Sequence, residues 1–423
     1  MKKLLLTLGL FSLITLTGCV TLPPESDHIK GPMKMTNLPS VIPIMEVERF
    51  PSAIPSIHFE KSTEGPYSNE LVGDTVKAKN TIKIGAVMPL SGDASAYGIE
   101  PQRIFNYQIE KINAVSEQQF ELIYEDGKCS GNDAVSGFQK LTDIDAVKFV
   151  IGGFCSSETL AMAPLAENKN VLLMSPGSSN PSIEGLDDNI FTYSYSDELI
   201  GAGLATEAKV FKKVAIITEQ NDFNIGVKDV FMKNIEGSEV EIVTNEIFPK
   251  GESDFRNVLE KITKSNPEAV ILNANIGITA ENLLRQAAEI PGWKDYQLIS
   301  QVSHLPDATR ESVGDFAEGM IIIDAPSLSS ESLKAEISHI TESKGTLDTL
   351  GAYYTAATLD DLNILTSLLT EFGEDVDAVK EALRERTFKG YISDEIYFGG
   401  HNFVQNVSAG KYMVEGGKAV YQD

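Results

Sequence analysis

The sequence predicts an α/β protein of two similar lobes, each a parallel sheet with helices on both faces. Three observations predict it. From Thr81 onward, short apolar runs of strand character alternate with amphipathic helical stretches. The alternation covers about 120 residues and then restarts near Val214. Several strands run into loops rich in Gly and Ser, which is where an open α/β sheet binds ligands.

The chain reaches this body through two other segments. Met1-Lys2-Lys3 followed by the apolar run Leu4 to Leu16 has the order of a bacterial secretory signal. The run is shorter than the roughly 20 apolar residues of a transmembrane helix. It ends in Leu16-Thr17-Gly18-Cys19, which resembles a bacterial lipobox. Residues 1–18 are then the lipoprotein signal peptide, and Cys19 becomes the lipidated N-terminus that holds the protein to a membrane. Residues 19–80 read as a Pro-rich tether, with Pro23, Pro24, Pro32, Pro39, Pro43, Pro51, Pro55 and Pro66 and no persistent helix or strand period. The expected location is extracytoplasmic, in the periplasm or at the cell surface.

Composition narrows the function. A formal charge of −26 excludes nucleic acid as a partner and excludes an electrostatic hold on anionic lipid. With Cys19 lipidated, Cys129 and Cys155 remain as an even pair in an oxidising compartment, where a disulfide is the default. Two cysteines without a nearby histidine do not complete a zinc site, so no metal is expected. No His-x-x-x-His pair, Walker loop, Gly-x-Ser-x-Gly elbow or Gly-x-Gly-x-x-Gly turn occurs. We therefore expect neither an enzyme nor a resident cofactor.

Within the body, Ile82 to Met88 alternates and then turns fully apolar, a strand of a buried sheet. A Gly/Ser/Asp loop leads to a helix from Pro101 to Val115. Strand Phe120–Tyr124, helix Asp133–Asp143, strand Ala146–Gly152, helix Ser157–Asn168 and strand Val171–Met174 complete the first run. The second run has strands at Val214–Thr218, Val240–Phe248, Ala269–Asn273, Gln297–Ser300 and Gly319–Ile323. Helices lie between them at Asn224–Asn234, Phe255–Lys264 and Ala280–Ala288. Helices follow at Ser329–Ser343, Leu350–Phe372 and Asp375–Arg386. The chain closes in a strand-rich stretch, Ile392 to Tyr421, with turns at Gly399-Gly400 and Gly416-Gly417.

An ordered set of segments carries a family resemblance. Ile82-Lys83-Ile84-Gly85, Leu90-Ser91-Gly92 and Ala96-Tyr97-Gly98 open it. Tyr124-Glu125-Asp126, Val150-Ile151-Gly152-Gly153 and Cys155-Ser156-Ser157 continue it, followed by Met174-Ser175-Pro176-Gly177-Ser178-Ser179-Asn180-Pro181. With Asp254-Phe255, Leu284-Arg285-Gln286-Ala287 and Ala317-Glu318-Gly319-Met320, residues 81–423 resemble the branched-chain amino-acid-binding group of type I periplasmic binding proteins. The resemblance implies two Rossmann-like lobes joined by three hinge crossings, with a ligand cleft between them. Lobe one maps to 81–196 plus 326–393 and lobe two to 197–325 plus 394–423. The crossings fall near Tyr195–Asp197, Asp324–Pro326 and Tyr391–Glu395. The family also pairs two cysteines at the positions of Cys129 and Cys155.

Candidate ligand-binding residues come from both arguments. Ser156 and Ser157 open a helix after a strand, where free amides and the helix dipole suit a carboxylate. Gly177, Ser178 and Ser179 offer carbonyls and hydroxyls after the next strand. The resemblance adds Tyr97, Phe223 with its neighbour Asp222, Asn275, and Tyr354. It also places the carboxylate that pairs a ligand ammonium near Val302, where valine cannot compensate a buried positive charge. Asp222 and Asp324 are the acids that could substitute. A small polar or carboxylate-bearing ligand is thus expected at least as much as a leucine-like amino acid. The resemblance implies capture by lobe closure and delivery to an ABC permease. The alternative is a sensor or scaffold of the same fold that regulates another envelope protein.

Overall fold

The computed structural model describes residues 81–422; the signal peptide, Cys19 and the tether lie outside them. Strand β1 (Thr81–Met88) exposes alternate residues at its start and is then buried on both faces, as befits a strand covered by helices on either side. With β2 (Gln119–Asp126), β3 (Phe149–Gly152), β4 (Leu172–Ser175) and β5 (Ile190–Thr192) it forms a parallel sheet in the order β2-β1-β3-β4-β5. Helices α1 (Ala96–Val115), α2 (Gly131–Asp143) and α3 (Ser156–Lys169) connect the strands. One face of the sheet packs Ile84, Ile151 and Met174 into a core with Ile104 of α1. The other packs Val87, Val150 and Leu173 against Phe138 of α2 and Met162 of α3.

After α4 (Glu198–Ala208) the alternation restarts. Strands β6 (Lys213–Gln220), β7 (Glu241–Pro249), β8 (Ala269–Asn273), β9 (Gln297–Gln301) and β10 (Ile321–Asp324) are parallel; α5 (Asp222–Ile235), α6 (Arg256–Ser265), α7 (Ile278–Ala288) and the short α8 (Asp307–Glu311) lie between them. The chain then returns to lobe one through α9 (Glu331–Lys344), α10 (Gly351–Phe372) and α11 (Val376–Glu385). Helix α10 is buried almost all round, and its Tyr353 hydroxyl donates to the Tyr193 carbonyl at 3.0 Å. Antiparallel β11 (Gly410–Glu415) and β12 (Lys418–Gln422) complete a second sheet in the order β12-β11-β10-β9-β8-β6-β7. Their turn places Gly416 at φ +59° and Gly417 at φ +79°, the backbone that a tight hairpin demands and that glycine adopts without strain.

Several features differ from the sequence expectation, helices α4 and α8 being additions. Helix α1 starts at Ala96, ahead of Pro101. Strand β5 is an addition, three residues long and too short to show a period. The expected strand-rich tail holds strands only from Gly410; before it there are two isolated bridges, Phe388 to Ile396 and Thr192 to Phe403. Phe398 packs edge-on against Phe191 and Tyr193 at 5.1 and 5.2 Å. Residues 396–404 therefore stay with the first sheet, and the chain joins the second later than Tyr391–Glu395. A long-range contact holds the chain there: the Asp360 carboxylate of α10 accepts the Tyr391 and Ile392 amides at 2.8 Å. The segments expected as the other two crossings, Tyr195–Asp197 and Asp324–Pro326, lie between β5 and α4 and at the end of β10. Among the described residues no helix is long and apolar enough to cross a membrane.

Candidate functional site

The loops after β1, β3 and β4 of lobe one face those after β6, β8 and β9 of lobe two across one cavity of about 500 Å³, a figure that includes the open solvent at its edge. The carboxyl ends of parallel strands place it there.

Its lobe-one floor is built around Ser156, the first residue of α3. The buried Ser156 hydroxyl oxygen accepts the amides of Ser179 at 3.3 Å and Asn180 at 3.2 Å. Its own hydrogen is left to donate. The Ser157 hydroxyl donates to the Cys129 carbonyl at 3.3 Å. Cys129 and Cys155 are disulfide-bonded, and both line the cavity. Behind them, Glu158 accepts the Cys129 amide on one carboxylate oxygen and the Cys155 amide on the other, each at 3.0 Å. Burial pushes the Glu158 carboxyl up to about 8, against the pull of those two amides.

Aromatic rings make the apolar wall. Phe154 stacks on Tyr97 at 5.2 Å and lies tilted to Tyr354 at 5.9 Å. Gly177 permits this: a Cβ there would sit 2.6 Å from the Phe154 ring. The Tyr354 hydroxyl lies 3.1 Å from that of Tyr195, which donates to Asp324 at 2.8 Å. Burial raises Tyr97 and Tyr354 well above the ordinary tyrosine value, so both stay neutral.

Lobe two supplies Asn221, Phe223, Asn275 and Val302. Asn221 caps α5 by accepting the Asn224 amide at 2.9 Å, and its buried side-chain nitrogen lies near the Glu219 carboxylate without a hydrogen bond of ordinary length. The Asn275 amide donates to Glu219 at 2.7 Å. Buried Gln301 donates to Asn224 and to the Ala274 carbonyl, fixing the loop after β8.

Of the ten side chains or backbone positions expected to bind ligand, Tyr97, Ser156, Ser157, Gly177, Ser179, Phe223, Asn275 and Tyr354 line this cavity. Ser178 and Asp222 do not. The Ser178 hydroxyl points into the protein, 2.7 Å from that of Thr159 and bonded to the Gly153 carbonyl at 2.8 Å. Asp222 lies on a neighbouring cavity at the mouth. Neither acid that could replace a carboxylate at Val302 is on the wall, since Asp324 is buried beneath Tyr195. Phe154 and Asn221 join the site unannounced. Phe154 reads as core, and Asn221 as a helix cap.

Two α/β lobes with a polar-floored, aromatic-walled cleft at their strand ends define a solute-binding protein that holds its ligand between lobes. Residues 81–417 match the periplasmic binding protein family, and the chain belongs to that family, in the type I group typified by branched-chain amino-acid binders. These are binding proteins rather than enzymes, and extracytoplasmic ones. The leucine-, isoleucine-, valine-, threonine- and alanine-binding protein of Pseudomonas aeruginosa is 26% identical over 74% of this chain and 84% of its own. A second P. aeruginosa relative, an amino acid binding protein, is also 26% identical, but the chain spans only 61% of its length. A leucine-binding protein of Thermotoga maritima shares the fold at 22% identity with a TM-score of 0.70, covering 81% of this chain and 98% of that one. An R. palustris solute-binding protein, solved with 4-hydroxybenzoate, does so at 19% identity and 0.73, covering 81% and 96%.

Proposed function

We propose that this protein is a lipid-anchored solute-binding protein that closes its lobes on a small carboxylate with an apolar or aromatic body and delivers it to an ABC permease. The observation that carries the reading is the Ser156 hydroxyl, which lines the cleft: both its lone pairs are taken by amides, so its hydrogen is left to donate. With the start of α3 beside it, it suits a carboxylate without help from a cation. Val302 is where an ammonium would need a counter-charge, and the cleft wall carries no acid, which argues against an α-amino acid. The Tyr97–Phe154–Tyr354 wall suits a flat ring, as in the neighbour solved with 4-hydroxybenzoate. Lipid on Cys19 and a Pro-rich tether over 19–80 keep the body near the membrane.

The test is thermal unfolding of the full-length protein in detergent with benzoate, 4-hydroxybenzoate, hexanoate and leucine. A ligand at one hundred times its Kd adds about 2.7 kcal/mol to stability. The acids are expected to raise the melting temperature, leucine is not, and Ser156→Ala removes the effect. A shift with leucine alone refutes the ligand class. No shift with any of them favours the sensor or scaffold reading.

A further inference from the structure

A second cavity opens beside the first at the cleft mouth. Ser130 and Ser157 of lobe one wall it, with Gln220, Asn221, Asp222 and Lys250 of lobe two. It shares Cys129, Ser157 and Asn221 with the main cavity, so the two adjoin. Lys250, just after β7, is the only lysine or arginine on either wall. Its ammonium reaches across the lobes to the Cys129 carbonyl at 2.7 Å and the Lys128 carbonyl at 3.5 Å. It forms no ion pair among the described residues, where most other lysines on this acidic surface with a described contact do. Its field nonetheless favours the charged forms of Asp133 and Glu158 in lobe one and Glu219 in lobe two.

Donors gather around it. The buried Asn221 side-chain nitrogen makes no hydrogen bond of ordinary length, although it lies near enough to the Glu219 carboxylate to favour its charged form. Helices α2, capped by Ser130, and α5, capped by Asn221, start at this cavity alongside α3, and each start carries partial positive charge. The one acid on the wall, Asp222, is exposed to solvent, which screens it.

We propose that the mouth cavity is a second anionic subsite for the same ligand, whose distal carboxylate pairs with Lys250 and the Asn221 amide. This rests on the solute-binding reading above and deepens it: the preferred solute carries an acid at each end of a short apolar body. One end bonds Ser156 of lobe one. The other bonds Lys250 of lobe two, so such a solute ties the lobes together.

Calorimetric titration of the full-length protein tests this with matched pairs, benzoate against terephthalate and hexanoate against adipate, on wild type, Lys250→Met and Lys250→Arg. We expect at least one diacid to bind wild type about tenfold or more tightly than its monoacid, the scale of a hydrogen bond to a charged group. Lys250→Met should erase that advantage, weakening the diacid about tenfold more than the monoacid, and Lys250→Arg should keep most of it. Monoacids binding as well as diacids overturns the subsite but leaves the solute-binding reading standing. So does an equal loss of both acids in Lys250→Met, which makes the lysine a lobe contact only. No binding of either class overturns both.

Discussion

Asp324→Asn should stabilise this protein at neutral pH. Asp324 sits at the end of β10, fully buried, where it accepts the Tyr195 hydroxyl at 2.8 Å. Burial pushes its carboxyl from 3.8 up to about 7, although that hydroxyl and the Ala325 amide favour the charged form. A folded-state value above the unfolded one means that the fold prefers the neutral acid. The associated stability is complete below about pH 4 and lost as pH rises to about 7. About three units at roughly 1.4 kcal/mol each is a loss of up to about 4 kcal/mol by pH 8. Asparagine is neutral throughout and can still accept from Tyr195. Relative to wild type it should be near-neutral at pH 4 and gain up to about 4 kcal/mol at pH 8, roughly 5 °C in a body of this size. Melting curves across pH 4–8.5 measure it. The same direction holds for Asp197 and Asp361, for Asp360 at about 7 and for Glu158 at about 8. Wild type should therefore melt higher at pH 5 than at pH 8. Asp126, Asp133, Glu252 and Glu371 are lowered and act oppositely as pH falls below the ordinary carboxylate range, and buried His304, lowered from 6.5 to about 4, opposes the trend between those values, offsetting part of it at pH 5. A difference between variant and wild type that does not change with pH would refute the argument, as would a variant less stable at pH 8.

Two shorter predictions follow from the cleft. Replacing Cys129 and Cys155 together by Ser releases a loop with a sequence separation of 26 and should cost about 3.5 kcal/mol by loop-closure entropy; a melting temperature that reductant does not move in wild type would contradict this. Val302→Glu puts a carboxylate on a wall that has none. Leucine affinity should rise about tenfold or more while benzoate weakens, and titration showing the reverse would mean the wall does not face the ligand's amine.

Most of the fold was legible because its strands are buried and announce themselves as apolar runs. Strand β5 was not, because Ile190-Phe191-Thr192 is stabilised by Phe398 and Phe403 from far along the chain. The late third crossing has the same origin, since Asp360 and its amide partners lie 31 and 32 residues apart. The site was legible where a Gly/Ser loop follows a strand. Which serine of Ser178-Ser179 faces the cleft was not, because adjacent residues point oppositely and only Thr159 and the Gly153 carbonyl decide which one is drawn inward. Phe154 gave no sequence sign of its role, since an aromatic beside glycines reads the same in a core as on a binding wall.

The bond between Cys129 and Cys155 is also part of the cleft floor, held by Glu158 directly behind Ser156. Such bonds form in the oxidising space outside the cytoplasm and not within it. A newly made chain still inside the cell thus lacks a finished floor.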